Sequence, residues 1–136
     1  MSYIIHISSD QGKISHPDNG YLNCQIDFSN PIDLTEGTWL CNLIQFYTSC
    51  DIKECLYLCS GILKPTAVND QSLPALKCLR GLNKGIARTF PNTHCETPVK
   101  NIHLDRFSLY MTGFKDPKIY STHCWSATIH FRKVNE

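Results

Sequence analysis

The stretch from His123 to Lys133 (HCWSATIHFRK) constrains the fold of this chain more than any other. Trp125, Ala127, Ile129 and Phe131 alternate strictly with Ser126, Thr128, His130 and Arg132. Strand side chains point to opposite faces with a period of two, so the pattern specifies a β-strand with one apolar and one wet face. No Gly or Pro interrupts it, and its apolar side carries two aromatics. A central strand that forms one wall of a core reads this way.

Strands of the same kind recur along the chain. Tyr3–Ile7 is a short β-rich run, and Ser8–Gly20 is rich in turn residues. Leu22–Phe28 alternates, with Leu22, Cys24, Ile26 and Phe28 facing in; Asn30-Pro31 is expected to end it. Ile32–Gly37 reads as a loop. Trp39–Tyr47 is apolar on both sides: Trp39, Cys41 and Leu43 on one, Leu40, Ile44 and Phe46 on the other. That is the pattern of a strand covered on both faces. Ser49–Glu54 is a polar connector, Cys55–Ser60 a strand, Lys64–Pro74 a loop between prolines, and Ala75–Leu79 a short strand. Arg80–Pro98 is irregular, with a brief strand expected at Ile86–Phe90. In Ile102–Thr112 the phase slips: Ile102 and Leu104 share one register, Phe107, Leu109 and Met111 the other. A bulge or tight bend at Asp105-Arg106 accounts for the slip. Gly113–Thr122 is a turn loop. Seven or eight closely spaced strands, long loops and no convincing helix predict a single all-β domain over residues 1–136, an antiparallel sandwich or barrel.

Composition narrows the function. Thirteen basic against twelve acidic residues leave a net charge of +1, which argues against a dedicated nucleic-acid or polybasic membrane binder. No apolar run approaches the roughly 20 residues that span a bilayer. MSYIIHISSD has no basic segment ahead of its short apolar run, so secretion is not expected. The eight cysteines, Cys24, Cys41, Cys50, Cys55, Cys59, Cys78, Cys95 and Cys124, are the unusual feature. Several occupy apolar positions of strand patterns, as reduced thiols acting as small hydrophobes do.

Candidate chemistry is thin. The spacing of Cys50, Cys55 and Cys59 is loose, and the adjacent pairs His94-Cys95 and His123-Cys124 are poorly placed to converge on one zinc ion. No local signature marks a Cys nucleophile. Asp27, Asp33, Glu36, Asp51, Glu54, Asp70, Asp105 and Asp116 lie scattered at strand ends and loops. Gly81 and Gly85 lack the ending of a phosphate loop. A basic cluster stands out: Lys77, Arg80, Lys84 and Arg88, with Arg132 and Lys133; the plain reading is a solvated loop face. No catalytic, cofactor-binding or metal-binding residue is therefore assigned, and the chain is expected not to be an enzyme. Tyr47, Phe90 and Tyr120 are candidate loop aromatics for a binding surface.

Four segments, His16–Phe46, Cys55–Leu79, Ile102–Phe114 and Trp125–Lys133, together resemble the β-sandwich structural proteins of Polinton/Maverick-like, adintovirus-like and adomavirus-like animal DNA viruses. The shared pattern comprises the Pro31–Leu34 turn, the Gly37–Trp39 motif, the loop Val68-Asn69-Asp70 and the terminal Ile129–Arg132. Asn69 stands where the pattern has Gly, and the cysteine richness is peculiar to this chain. The resemblance covers most of the chain, and its segment order is more specific than any one motif. It implies a single jelly roll that serves as a minor capsid or penton-type vertex component. Such a protein acts as a homo-oligomer, a pentamer or trimer, against other capsid proteins. It resides in the virion after synthesis in the host cytoplasm and assembly there or in the nucleus. The alternative is an attachment or host-interaction module such as a spike or fibre head; a zinc- or nucleic-acid-binding protein ranks below both.

Overall fold

The computed structural model describes residues 2–11, 13–15, 22–49, 51, 56–68, 71–85, 87–90, 96–112 and 124–134. Twelve strands are found among them: β1 (Ser2–Ser8), β2 (Lys13–Ser15), β3 (Leu22–Asp33), β4 (Trp39–Thr48), β5 (Leu56–Cys59), β6 (Thr66–Val68), β7 (Gln71–Leu73), β8 (Ala75–Leu79), β9 (Arg88–Thr89), β10 (Thr97–Val99), β11 (His103–Thr112) and β12 (Trp125–Lys133). One sheet runs β1-β12-β4-β10, with β9 also on β4; the other runs β2-β3-β11-β5-β8; β6 and β7 form a separate hairpin. The architecture is an antiparallel two-sheet sandwich.

Its order follows one rule. Eight principal strands pair as nested rungs: β1 with β12, β3 with β11, β4 with β10, and β5 with β8. A long hairpin with these rungs has been rolled up, so that β12 also meets β4 and β11 also meets β5. This is the double Greek key of a jelly roll.

The terminal strand lies at the centre of its sheet, as its pattern requires. Trp125, Ala127, Ile129 and Phe131 are buried, and the residues between them are half-buried. Its neighbours supply matching inward residues: Tyr3, Ile5 and Ile7 on one side, Cys41, Leu43, Phe46 and Thr48 on the other. From the facing sheet, Phe107 meets Phe131 edge-to-face, with centroids 6.5 Å apart. His123, expected to begin this strand, lies outside the described residues, as do Tyr120 and the Gly113–Thr122 loop.

Several expectations need correction. The first concerns β4, which is not covered on both faces. Ile129 pairs with Leu43 and Thr128 with Gln45, so Ile44 is an extra residue, a bulge. Past it the faces swap: Trp39, Cys41 and Leu43 point inward, then Phe46 and Thr48 do. The apolar alternation that looked two-sided is one inward face interrupted once.

The second correction concerns β3, which Pro31 does not end. The strand continues to Asp33 because Ile32 and Asp33 pair with Leu104 and His103. Four residues, Phe28 to Pro31, face the single Asp105 of β11. Pro31, with no N–H to give, is tolerated where the ladder is already interrupted. The phase slip in β11 thus falls where expected, and the excess chain lies in its partner.

Short strands were missed where the sequence shows mostly turn residues. The stretch expected as turns after Ser8 contains a 3-10 turn at Ser9–Gln11 and then β2; the expected loop between prolines contains β6 and β7. The irregular stretch contains β9, shorter than the strand expected there, and β10. Two- and three-residue strands have no periodicity to read; their sheet neighbours create them.

Candidate functional site

The motifs singled out in the sequence turn out to brace the scaffold. Gly37 adopts φ 83°, the left-handed turn that feeds β4. The Trp39 indole N–H donates back to the Glu36 carbonyl at 2.9 Å, and its ring stacks on Tyr3 with centroids 5.6 Å apart. Asn101 holds the same loop from outside, donating through Nδ2 to the carbonyls of Gly37 (2.7 Å) and Leu34 (3.0 Å). Leu34, which closes the Pro31–Leu34 turn, is fully buried. Asn69 and Asp70 lie outside the described residues.

The described thiols divide into two groups. Cys24, Cys41 and Cys59 are buried, and Cys78 and Cys124 are exposed. Burial pushes the Cys24 and Cys41 thiols upward, and that of Cys59 up to about 11. Such thiols stay protonated and inert at neutral pH. The Cys124 thiol faces Asp10 Oδ1 at 3.8 Å. Cys50, Cys55, Cys95, His94 and His123 lie outside the described residues. Among the described residues, no three His, Cys, Asp or Glu side chains converge as metal ligands. Asp27, Asp33 and Asp51 are tied into local structure. Asp27 accepts from Arg106 Nε at 2.8 Å, and the Thr35 hydroxyl and N–H hold the Asp33 carboxyl below its ordinary range. Asp51 accepts the Lys84 N–H at 2.8 Å.

The expected basic cluster is split. Arg132 makes a two-pronged ion pair with Glu96, at 3.0 Å and 2.8 Å. It reaches across β4, and Asn42, on that outer face, is buried. Glu96 carries no sequence signal of its own; only the β12-β4-β10 order places it within reach of Arg132. Lys133 lies beyond, next to Gly37.

The remaining cations form a corner at the opposite end of β4. Phe90 follows β9 and donates its N–H to the Ile44 carbonyl at 2.8 Å, which fixes it at the edge of its sheet. Lys77, from β8 of the other sheet, places Nζ 4.9 Å from the Phe90 ring centre, and the Arg88 guanidinium lies 5.7 Å from it. Cation–π contacts of this kind tie the two sheet edges together. Arg88 also donates to the Arg80 carbonyl. A cleft of about 520 Å³ opens beside them, lined by Arg80 to Asn83 and Ala87 to Thr89. Phe90 is half-buried under its cations. Tyr47, a candidate for an exposed binding aromatic, is a half-buried residue of β4, the strand expected there. The corner joins positive charge to the face of an aromatic ring.

No family model matches this chain, and no curated protein matches it in sequence. Fold and surface therefore carry the functional argument. No helix among the described residues is long and apolar enough to cross a membrane.

Proposed function

We propose that this chain is a non-enzymatic structural protein of a virion, a minor capsid or penton-type vertex component that acts by assembling into a symmetric oligomer. The observation that carries the reading is the nested strand order: the sandwich is a single jelly roll, the fold that the resemblance implies. A fold hosts many functions, so the reading also draws on the four segments that carry the resemblance. Two of its motifs, Gly37–Trp39 and Pro31–Leu34, brace the loop that leads into β4. The test is the native mass of the full chain, with electron microscopy of any assembly it makes and a search for it in purified particles. Rings of three or five, and presence in particles, are expected. A strict monomer absent from particles overturns the proposal.

The Lys77–Phe90–Arg88 corner favours a second reading, an attachment or host-interaction module that takes an anionic ligand. Jelly rolls also serve as lectins. A glycan array probed with the full chain and with Arg88→Ala separates the two: binding to acidic glycans that the substitution removes supports attachment, and silence across the array removes it.

A further inference from the structure

The edges of the two sheets are treated unequally. An exposed edge is a row of unpaired backbone N–H and C=O groups, and proteins usually blunt it with charge, proline, a bulge, shortness or a cover. The β10 edge has Pro98 and is covered by Ile62 to Lys64: Lys64 N–H donates to the Pro98 carbonyl and Lys100 N–H to that of Ile62. On the other sheet, β2 is three residues long and carries Lys13, and β8 is five residues long and carries Lys77. Among the described residues, the β1 edge has none of these devices. It runs for seven residues, SYIIHIS, without charge, proline or bulge, and pairs in unbroken register with β12. No described strand pairs with its other side.

The side chains of β1 reinforce the point. Ile4 is 58% exposed, the one exposed large hydrophobic among the described residues. A groove of about 300 Å³ runs beside the strand, lined by His6 and Ile7 of β1 and Ile26 to Ser29 of β3.

The order of residues in β1 selects the occupant. About Ile5 the strand is nearly a mirror of itself. In an antiparallel pair centred there, Ile5 meets Ile5 of the second copy, Tyr3 meets Ile7, Ile4 meets His6 and Ser2 meets Ser8. Inward residues (Tyr3, Ile5, Ile7) then meet inward residues, and outward ones (Ser2, Ile4, His6, Ser8) meet outward ones. A one-residue slip would set the inward side chains of one copy against the outward ones of the other. No like charges oppose each other, because the strand has none. An isologous contact needs this self-complementarity.

We infer that β1 pairs antiparallel with β1 of a second copy of this chain about a two-fold axis at Ile5, joining the two β1-containing sheets into one. Seven paired residues exchange about six to eight backbone hydrogen bonds. The contact is smaller than a standard interface, so it is a reversible dimer in the micromolar range. It is distinct from the three- or five-fold ring proposed above and does not depend on it.

Sedimentation equilibrium of the full chain from about 1 to 200 µM, spanning micromolar affinity, reads the association. Wild type is expected to associate reversibly and to double the mass of the species present at the lowest concentration, whether that is one 15.5 kDa chain or a ring of chains. Ile4→Lys, at an exposed position that the fold does not need, is expected to raise the dissociation constant at least tenfold with an unchanged thermal melt. His6→Glu is expected to weaken association as well. The double substitution Ile4→Lys/His6→Glu sets a lysine opposite a carboxylate at both symmetry-related sites and is expected to restore the dimer, in a salt-sensitive form. A monomer across the whole range overturns the inference, as does any oligomer that Ile4→Lys leaves intact. A ring indifferent to Ile4→Lys overturns this pairing alone. An Ile4-dependent dimer absent from particles overturns the virion reading alone.

Discussion

Burial separates the thiols of this protein into reactive and silent ones. Cys24, Cys41 and Cys59 lie in the core with raised thiol values, while Cys124 and Cys78 reach solvent. Iodoacetamide on the folded chain is expected to label Cys124 and Cys78 and to spare Cys24, Cys41 and Cys59 until denaturant is added; mass spectrometry of the labelled peptides checks this. The same burial sets an alkaline limit. An unfolded thiol ionises near its ordinary value of 9.0 while the buried one keeps its proton. Stability therefore falls as pH rises above 9. The Arg132–Glu96 pair acts at the other extreme. The Arg132 guanidinium, by hydrogen bonding, holds the Glu96 carboxyl below its ordinary 4.5. Its contribution is whole above pH 4.5 and fades as pH falls through the folded-state value. Glu96→Gln is thus expected to lower the melting midpoint at pH 7, with a deficit that shrinks as pH falls through the folded-state value of the Glu96 carboxyl; a deficit independent of pH would count against the pair. Arg132 stood out in the sequence as the wet end of a strand. Its partner did not, since Glu96 lies 36 residues away in the chain.

At the scale of the element, one bulge governs which residues β4 buries. Ile44 has no partner in β12, and beyond it Phe46 and Thr48 take over the inward face. Phe46 is 1% exposed and stacks on Trp125 with ring centres 6.1 Å apart. Phe46→Ala is expected to cost about 3–5 kcal/mol, the usual loss for a buried phenylalanine. Deleting Ile44 is expected to cost less than that, because a continuous ladder still sets Gln45 opposite Thr128 and Phe46 inward opposite Ala127. Urea denaturation measures both, and an unchanged midpoint for the deletion would show that the bulge is dispensable. The same phase slip was legible in β11, where polar Asp105 and Arg106 separate Leu104 from Phe107. In β4 it was hidden, because Leu40 and Ile44 are apolar too and fill both registers. Periodicity reveals a bulge only when the residues around it differ in polarity.

The whole molecule is a set of nested long-range pairings, and that governs how it folds. β1 reaches β12 across nearly the entire chain, and β12 lies between β1 and β4. Loop closure over such distances comes before the contacts that reward it, so refolding is expected on the millisecond-to-second scale of β-sandwiches; stopped-flow fluorescence from Trp39 and Trp125 follows it. A chain that ends before Trp125 removes the shared neighbour of β1 and β4, and its circular dichroism is expected to lack a cooperative transition. The sequence by itself determined the class of structure, the faces of β12 and β11 and the absence of a long apolar segment, because alternation and composition are local properties of a chain. It also marked Gly37, Trp39 and Leu34 without saying what they hold. Only the tertiary structure decided which strands are neighbours. That choice made the short strands β2, β6, β7, β9 and β10, carried β3 through Pro31, joined Arg132 to Glu96 and left the uncharged edge of β1 without a described strand beside it. Each depends on a partner distant in the chain, and pairing energy between distant segments leaves no periodic trace in either one.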